Sequence, residues 1–377
     1  MAAFSNNLLL RTLHVRWRGV AGSRRARPSL IALSVALIAV VTSASCYSRV
    51  SHDSPGKLID IGGYRLHIVC EGYGTPTVLV DSGLGGSSLE WRYVVDQVRE
   101  FTRVCSYDRS GYGYSDMGPR PRTSSRISNE LFLLTESLDV DRPFILVGHS
   151  FGGFNMQLFS RRFPYLVAGL VLVDSSHPEQ VERFLQPPIS LNTAPSSRWG
   201  LVQFSDPPQP HKKLPAEIRE KLFMQSIHWR TKRTLAREYL SFKQSAAQIR
   251  RTPVAPKTPT VVLTRGKRVW PNNERGAMIE DLWLKMQSEL AQQSELSAHI
   301  VATNSGHHVH IDQPGLVSYA IALLTDRFRL EQLGQANAER QSLSNRDAID
   351  FGAAMWLRDT LFEEKNLTTG YDQAPDE

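Results

Sequence analysis

Gly148-His149-Ser150-Phe151-Gly152-Gly153 is the stretch that decides how this chain folds. It follows the apolar run Pro143-Phe144-Ile145-Leu146-Val147 and precedes a helical pattern of apolar residues over 154–163. Strand, G-x-S-x-G and helix in that order make a turn so sharp that neighbouring residues must be small, which accounts for Gly148 and Gly152. The serine hydroxyl is then expected to project from the top of a sheet, with the positive end of the following helix pointed at it.

The same alternation runs along the chain. Residues 65–70 and 77–80 read as strands separated by a Gly-Tyr-Gly-Thr-Pro turn, 87–101 as an amphipathic helix and 103–107 as a further strand. A loop marked by its glycines, Asp108-Arg109-Ser110-Gly111-Tyr112-Gly113-Tyr114-Ser115-Asp116, leads to a helix over 128–138. Gly169-Leu170-Val171-Leu172-Val173-Asp174 is apolar up to its acid, as in parallel strands covered on both faces. From 177 to 256, proline clusters and a long basic helical stretch over 216–250 interrupt the pattern and predict a cap inserted above the sheet. Strands at 260–263 and 299–302 and helices around 281–292 and 314–329 resume it. The organisation is a leader (1–49), an α/β body (50–330) and an acidic extension (331–377) with helical spacing at 347–365.

A serine hydroxyl becomes a nucleophile when a base lies within hydrogen-bond reach and a carboxylate orients that base. Ser305-Gly306-His307-His308-Val309-His310 directly follows the 299–302 strand, and His307, next to Gly306, is the expected base. Of His308 and His310, one is expected to pack and the other to face solvent. No Asp, Glu or Cys set accompanies them, so no metal is expected. The stretch Leu263-Thr264-Arg265-Gly266-Lys267-Arg268-Val269-Trp270 contains no acid. Asp174 is the expected orienting carboxylate, in the order Ser150, Asp174, His307; Glu274 and Asp281 are the alternatives. Two amides should hold an oxyanion: that of Phe151, and that of Leu84 in Asp81-Ser82-Gly83-Leu84-Gly85-Gly86.

The segments at 81–86, 107–113, 148–153 and 305–307 together resemble the α/β-hydrolase superfamily over residues 58–329, and within it the proline-iminopeptidase-like and small esterase branch. The resemblance implies an eight-stranded, mostly parallel sheet flanked by helices, with the cap inserted. It implies that Asp174 falls where haloalkane-dehalogenase-like members place their acid, after the sixth strand. Serine rather than aspartate at position 150 argues against dehalogenase or epoxide-hydrolase chemistry. The strands of Cys70 and Cys105 are implied to be neighbours, which leaves open a disulfide or two buried thiols.

The chain has 377 residues, 41% hydrophobic and 21% charged, enough apolar matter for a sizeable core. Its net charge of +7 belongs to the leader, where residues 1–49 hold seven arginines and no acid. The remainder is neutral, so no nucleic-acid partner is expected. Residues 28–48 are uncharged, and 30–41 almost wholly apolar, which suits a membrane anchor or signal segment. Arginines before that segment predict a cytoplasmic N-terminus and an exported body. The expectation is a serine hydrolase of a small acyl substrate that needs no cofactor. An aminopeptidase, a cofactor-free perhydrolase or acyltransferase, and a non-catalytic binding protein are the alternatives. The basic cap disfavours the aminopeptidase, which needs acids to hold an ammonium group. Trp199, Phe204, Phe223 and Trp229 are candidates to line an acyl pocket.

Overall fold

Long apolar runs become the centre of one sheet because each of their residues is taken out of water, a gain of roughly 1.5–3 kcal/mol per large aliphatic side chain. A computed structural model of the chain describes residues 55–185, 209–255 and 257–341. Among them the strands are β1 (Lys57–Asp60), β2 (Arg65–Glu71), β3 (Thr77–Asp81), β4 (Val104–Tyr107), β5 (Phe144–His149), β6 (Val167–Val173), β7 (Thr260–Arg265) and β8 (Ser297–Ala302). They form a single sheet in the order β1-β2-β4-β3-β5-β6-β7-β8, parallel from β4 to β8 and antiparallel at β1 and β2. Every residue of β3, β5 and β7 is buried.

Successive side chains of a strand point to opposite faces, so the sheet feeds two cores. Val78, Val80, Ile145, Val147, Val171 and Val173 pack under α1 (Arg92–Val98) and the long α9 (Pro314–Gln341). Leu79, Leu146 and Leu172 pack against α2 (Ser124–Glu136), α3 (Phe151–Arg162) and α7 (Glu274–Ala291). Three further helices are α4 (Gln180–Leu185), α5 (Ala216–Ile227) and α8 (Val309–Asp312). The cap helix α6 (Trp229–Arg251) lays Phe242, Ala246 and Ile249 on Phe151, Phe154 and Leu158 of α3. Cys70 lies opposite Cys105 in the β2–β4 register, and the two form a disulfide.

Several boundaries differ from the sequence reading. The 216–250 stretch is two helices, because His228 leaves the helical region (ψ 138°) and its imidazole accepts the Arg230 amide. Helix α9 runs on to Gln341, through the expected start of the acidic extension. Strand β1, short and mostly exposed at the sheet edge, was not expected as a separate element. The leader, Trp199, Phe204 and residues 347–365 lie outside the described residues. Among the described residues no helix is long and apolar enough to cross a membrane.

Candidate active site

The elbow stands where β5 ends. His149 pairs with Val173 across β5 and β6, so Ser150 and Asp174 leave adjacent strands at the same level. Ser150 takes φ +51°, a left-handed value that strains a residue with a Cβ. The turn holds because Ser150 N–H donates to Val173 O at 3.1 Å and its carbonyl accepts Gly153 N–H at 3.0 Å. A Cβ at Gly148 would lie 2.6 Å from the Gly152 carbonyl oxygen, and one at Gly152 would lie 2.3 Å from the Asp81 oxygen. Ser150 occupies the N-cap of α3, yet its hydroxyl makes no capping hydrogen bond. Serine usually caps through that oxygen; here the helix forgoes it and the hydroxyl is left for other work.

Asp174 is also held at positive φ (+40°) and is fully buried. An ionised carboxylate offers about four acceptor sites, and four donors meet it. Oδ2 accepts His307 Nδ1 at 2.6 Å and Arg265 Nη1 at 2.9 Å. Oδ1 accepts Trp283 Nε1 at 2.8 Å and the Arg265 amide at 3.3 Å. Burial by itself would raise the Asp174 pKa. The Arg265 charge and the His307 and Trp283 bonds outweigh it and hold the carboxyl well below the usual carboxylate range. Glu274 and Asp281, the alternative acids, are both exposed on α7.

His307 sits on the loop after β8, which Gly306 N–H anchors to Asp312 Oδ2 at 3.0 Å. Its carbonyl accepts His149 Nε2–H at 2.9 Å, and the two rings lie 4.6 Å apart. The ring of His307 is thus carried beside the residue that precedes Ser150. No hydrogen bond joins the Ser150 hydroxyl to His307 among the described residues; such bonds often tighten only when substrate binds. His308 and His310 depart from the expectation that one faces solvent. His310 is buried and stacks on Trp91 at 4.4 Å, and His308 is half-buried with its ring 5.5 Å from that of His307. Burial, with neighbouring imidazoles, pushes His149 and His310 well below the ordinary imidazole value and His308 down to about 3. Neutral rings therefore surround His307.

The loop after β3 is shaped by Arg109, a residue the sequence reading passed over as part of a glycine loop. Its guanidinium is buried and bonds Asp81 Oδ1 at 2.6 Å, the Ser82 carbonyl, Gly83 O at 2.8 Å and both Glu238 oxygens at 3.0 Å. Tyr112 adds its hydroxyl to Glu238 at 2.9 Å. In a trans peptide the N–H points opposite to the preceding C=O. With Gly83 O turned to Arg109, the Leu84 N–H faces away from it. A Cβ on Gly83 would stand 3.4 Å from Ser150 Cβ, so this loop lies against the elbow. The Phe151 N–H is the first of α3 and has no partner within the helix.

Arg109→Met strands two buried carboxylates and is expected to lower unfolding free energy by about 3–5 kcal/mol. Urea titration checks this, and a midpoint unchanged from wild type refutes the clamp. Of the pocket candidates, Trp229 is 58% exposed and Phe223 half-buried. The apolar side chains beside the elbow are instead Leu84, Phe151, Phe154 and Phe242, with Leu235 and Tyr239 at their edge.

Residues 77–318 match the family model described as the alpha/beta hydrolase family, and the chain belongs to that family. The uncharacterized protein YqjL of Bacillus subtilis is 26% identical over 246 residues, 65% of this chain and 81% of its own length. An uncharacterized vacuolar membrane protein of Saccharomyces cerevisiae is 29% identical over 150 residues, 33% of this chain and 23% of that one. The solved structure of a haloalkane dehalogenase loop variant from Bradyrhizobium elkanii has a TM-score of 0.55 at 18% identity, covering 74% of this chain and 98% of that one. At that identity the likeness shows the fold alone, and the chemistry has to be argued from the side chains.

Proposed function

We propose that this protein is a serine hydrolase that cleaves an ester or related acyl bond of a small molecule through an acyl-enzyme. The Ser150 oxygen attacks the carbonyl carbon while His307 Nε2 takes its proton. The tetrahedral oxyanion is held by the amides of Phe151 and Leu84. On collapse, the carbonyl reforms, the bond to the leaving group breaks, and His307 returns the proton to it. Water then repeats the sequence on the acyl-enzyme and releases the acid. Asp174 keeps the imidazole in the tautomer with its proton on Nδ1 and offsets the imidazolium charge. No cofactor or metal enters this sequence.

The observation that carries the reading is the 2.6 Å bond from His307 to a buried, ionised Asp174, set one strand away from a strained serine whose hydroxyl does not cap its helix. The phenylalanines under the cap suit an apolar acyl chain. The leader would attach the body to a membrane, with the catalytic domain on the outer side. The Cys70–Cys105 disulfide supports an oxidising compartment.

A fluorophosphonate probe tests the chemistry, since it traps only an activated serine. Intact-protein mass spectrometry is expected to show one adduct on the wild type and none on Ser150→Ala. An unlabelled wild type ends the hydrolase reading, and equal labelling of both ends the assignment of the nucleophile.

A further inference from the structure

Arg265 closes β7 and is buried, with 3% of the residue exposed. It lies between two carboxylates: Nη1 reaches Asp174 Oδ2 at 2.9 Å and Nη2 reaches Glu280 Oε2 at 2.8 Å. The Trp283 ring lies 4.7 Å from its central carbon, and the Trp283 indole N–H is itself a donor to Asp174. Glu280 is fixed in turn by the amides of Val269 and Trp270, at 2.6 and 3.0 Å. These groups form a row: Glu280, Arg265, Asp174, His307.

Nothing in the chemistry of acyl transfer requires an arginine there, and a charge this deep is costly unless it does something for its partners. We infer that Arg265, braced by Glu280, is a positioning residue for the Asp174–His307 pair: it fixes the plane of the carboxylate and sets how tightly that pair holds a proton. The inference rests on the serine-hydrolase reading.

Two consequences of opposite sign follow from Coulomb's law. Without the arginine's positive charge, the pair binds its proton more tightly. Without the Glu280 negative charge, the arginine acts on the pair unopposed, and the proton is held more loosely. The other groups near the His307 ring are His149, His308, His310 and the Trp283 edge, none of which is charged at neutral pH.

The test is the rate of fluorophosphonate labelling of Ser150 as a function of pH in the wild type, Arg265→Met and Glu280→Gln. The acid limb is expected to move up by about one pH unit in Arg265→Met and in the opposite direction in Glu280→Gln. At pH 7 Arg265→Met should label about 10- to 100-fold more slowly, the scale of coupling within one hydrogen-bonded network. A general loosening of the fold would slow both variants without displacing their limbs in opposite directions. If Arg265→Met does not fold, the downward shift in Glu280→Gln carries the inference. Limbs that stay in place, or move the same way, overturn the role of Arg265 while leaving a labelled wild type as a serine hydrolase. A wild type that does not label removes the parent reading.

Discussion

Ser150→Ala is expected to lower turnover of an ester substrate about 10⁵-fold or more, with folding unimpaired. The size follows from the proposed mechanism: without its nucleophile no acyl-enzyme would form, and only binding and the proposed oxyanion donors would remain. That the loss should be purely chemical follows from the geometry. The Ser150 hydroxyl caps nothing, and its backbone amide and carbonyl bonds to Val173 and Gly153 do not involve the side chain. Ser150→Gly goes further, because glycine adopts φ +51° without the steric penalty. It is expected to be inactive and about 1 kcal/mol more stable than wild type. Calorimetry and an ester assay on the same samples decide it. An alanine variant that keeps turnover, or that fails to fold, contradicts the role given to this position.

The elbow was legible in the sequence because its constraint is local: two glycines and a serine between an apolar run and a helical period admit one turn. The parallel strands were legible for a similar reason, since burial on both faces leaves little but Val, Leu and Ile. Asp174 stood out because it directly follows such a strand, whereas β8 is largely exposed and His307 stood out only by its place after Gly306 in the loop beyond it. What could not be read was made by contacts remote in sequence. Trp283 and Arg265 meet Asp174 across intervals of about a hundred residues, Glu280 joins them only through Arg265, and on paper Arg265 is simply the first of several bases around the end of β7. An isolated charge ending an otherwise uncharged strand was the available signal. Arg109 was hidden by the glycines around it. The break at His228 was invisible because neither Gly nor Pro marks it; an imidazole caps the second helix instead. Strand β1 exists through its pairing with β2, not through an apolar run of its own.

Asp174→Asn is expected to reduce turnover about 10⁴-fold, whereas Glu274→Gln and Asp281→Asn, on the exposed side of α7, leave it within about twofold. The carboxylate in question accepts four donors and offers none. An asparagine brings an N–H₂ into that ring of donors. Whichever way the amide turns, two donors lose their acceptor: Trp283 and the Arg265 amide if nitrogen replaces Oδ1, His307 and the Arg265 guanidinium if it replaces Oδ2. If His307 loses it, the imidazole is free to take the tautomer that cannot accept a proton from Ser150. The same change separates the acid by pH. Asp174 has a depressed pKa in the fold, so it contributes stability above the unfolded carboxyl value near ~4, and this is lost as pH falls through the folded value. The stability difference between wild type and Asp174→Asn should therefore be full at pH 7 and shrink below about pH 4. Urea unfolding at several pH values measures it. Near-wild-type turnover in Asp174→Asn would make the His307 bond a structural one and pass the acid's role elsewhere. A full loss of turnover with a pH-independent stability gap would mean that the carboxyl acts through its shape and not through its charge.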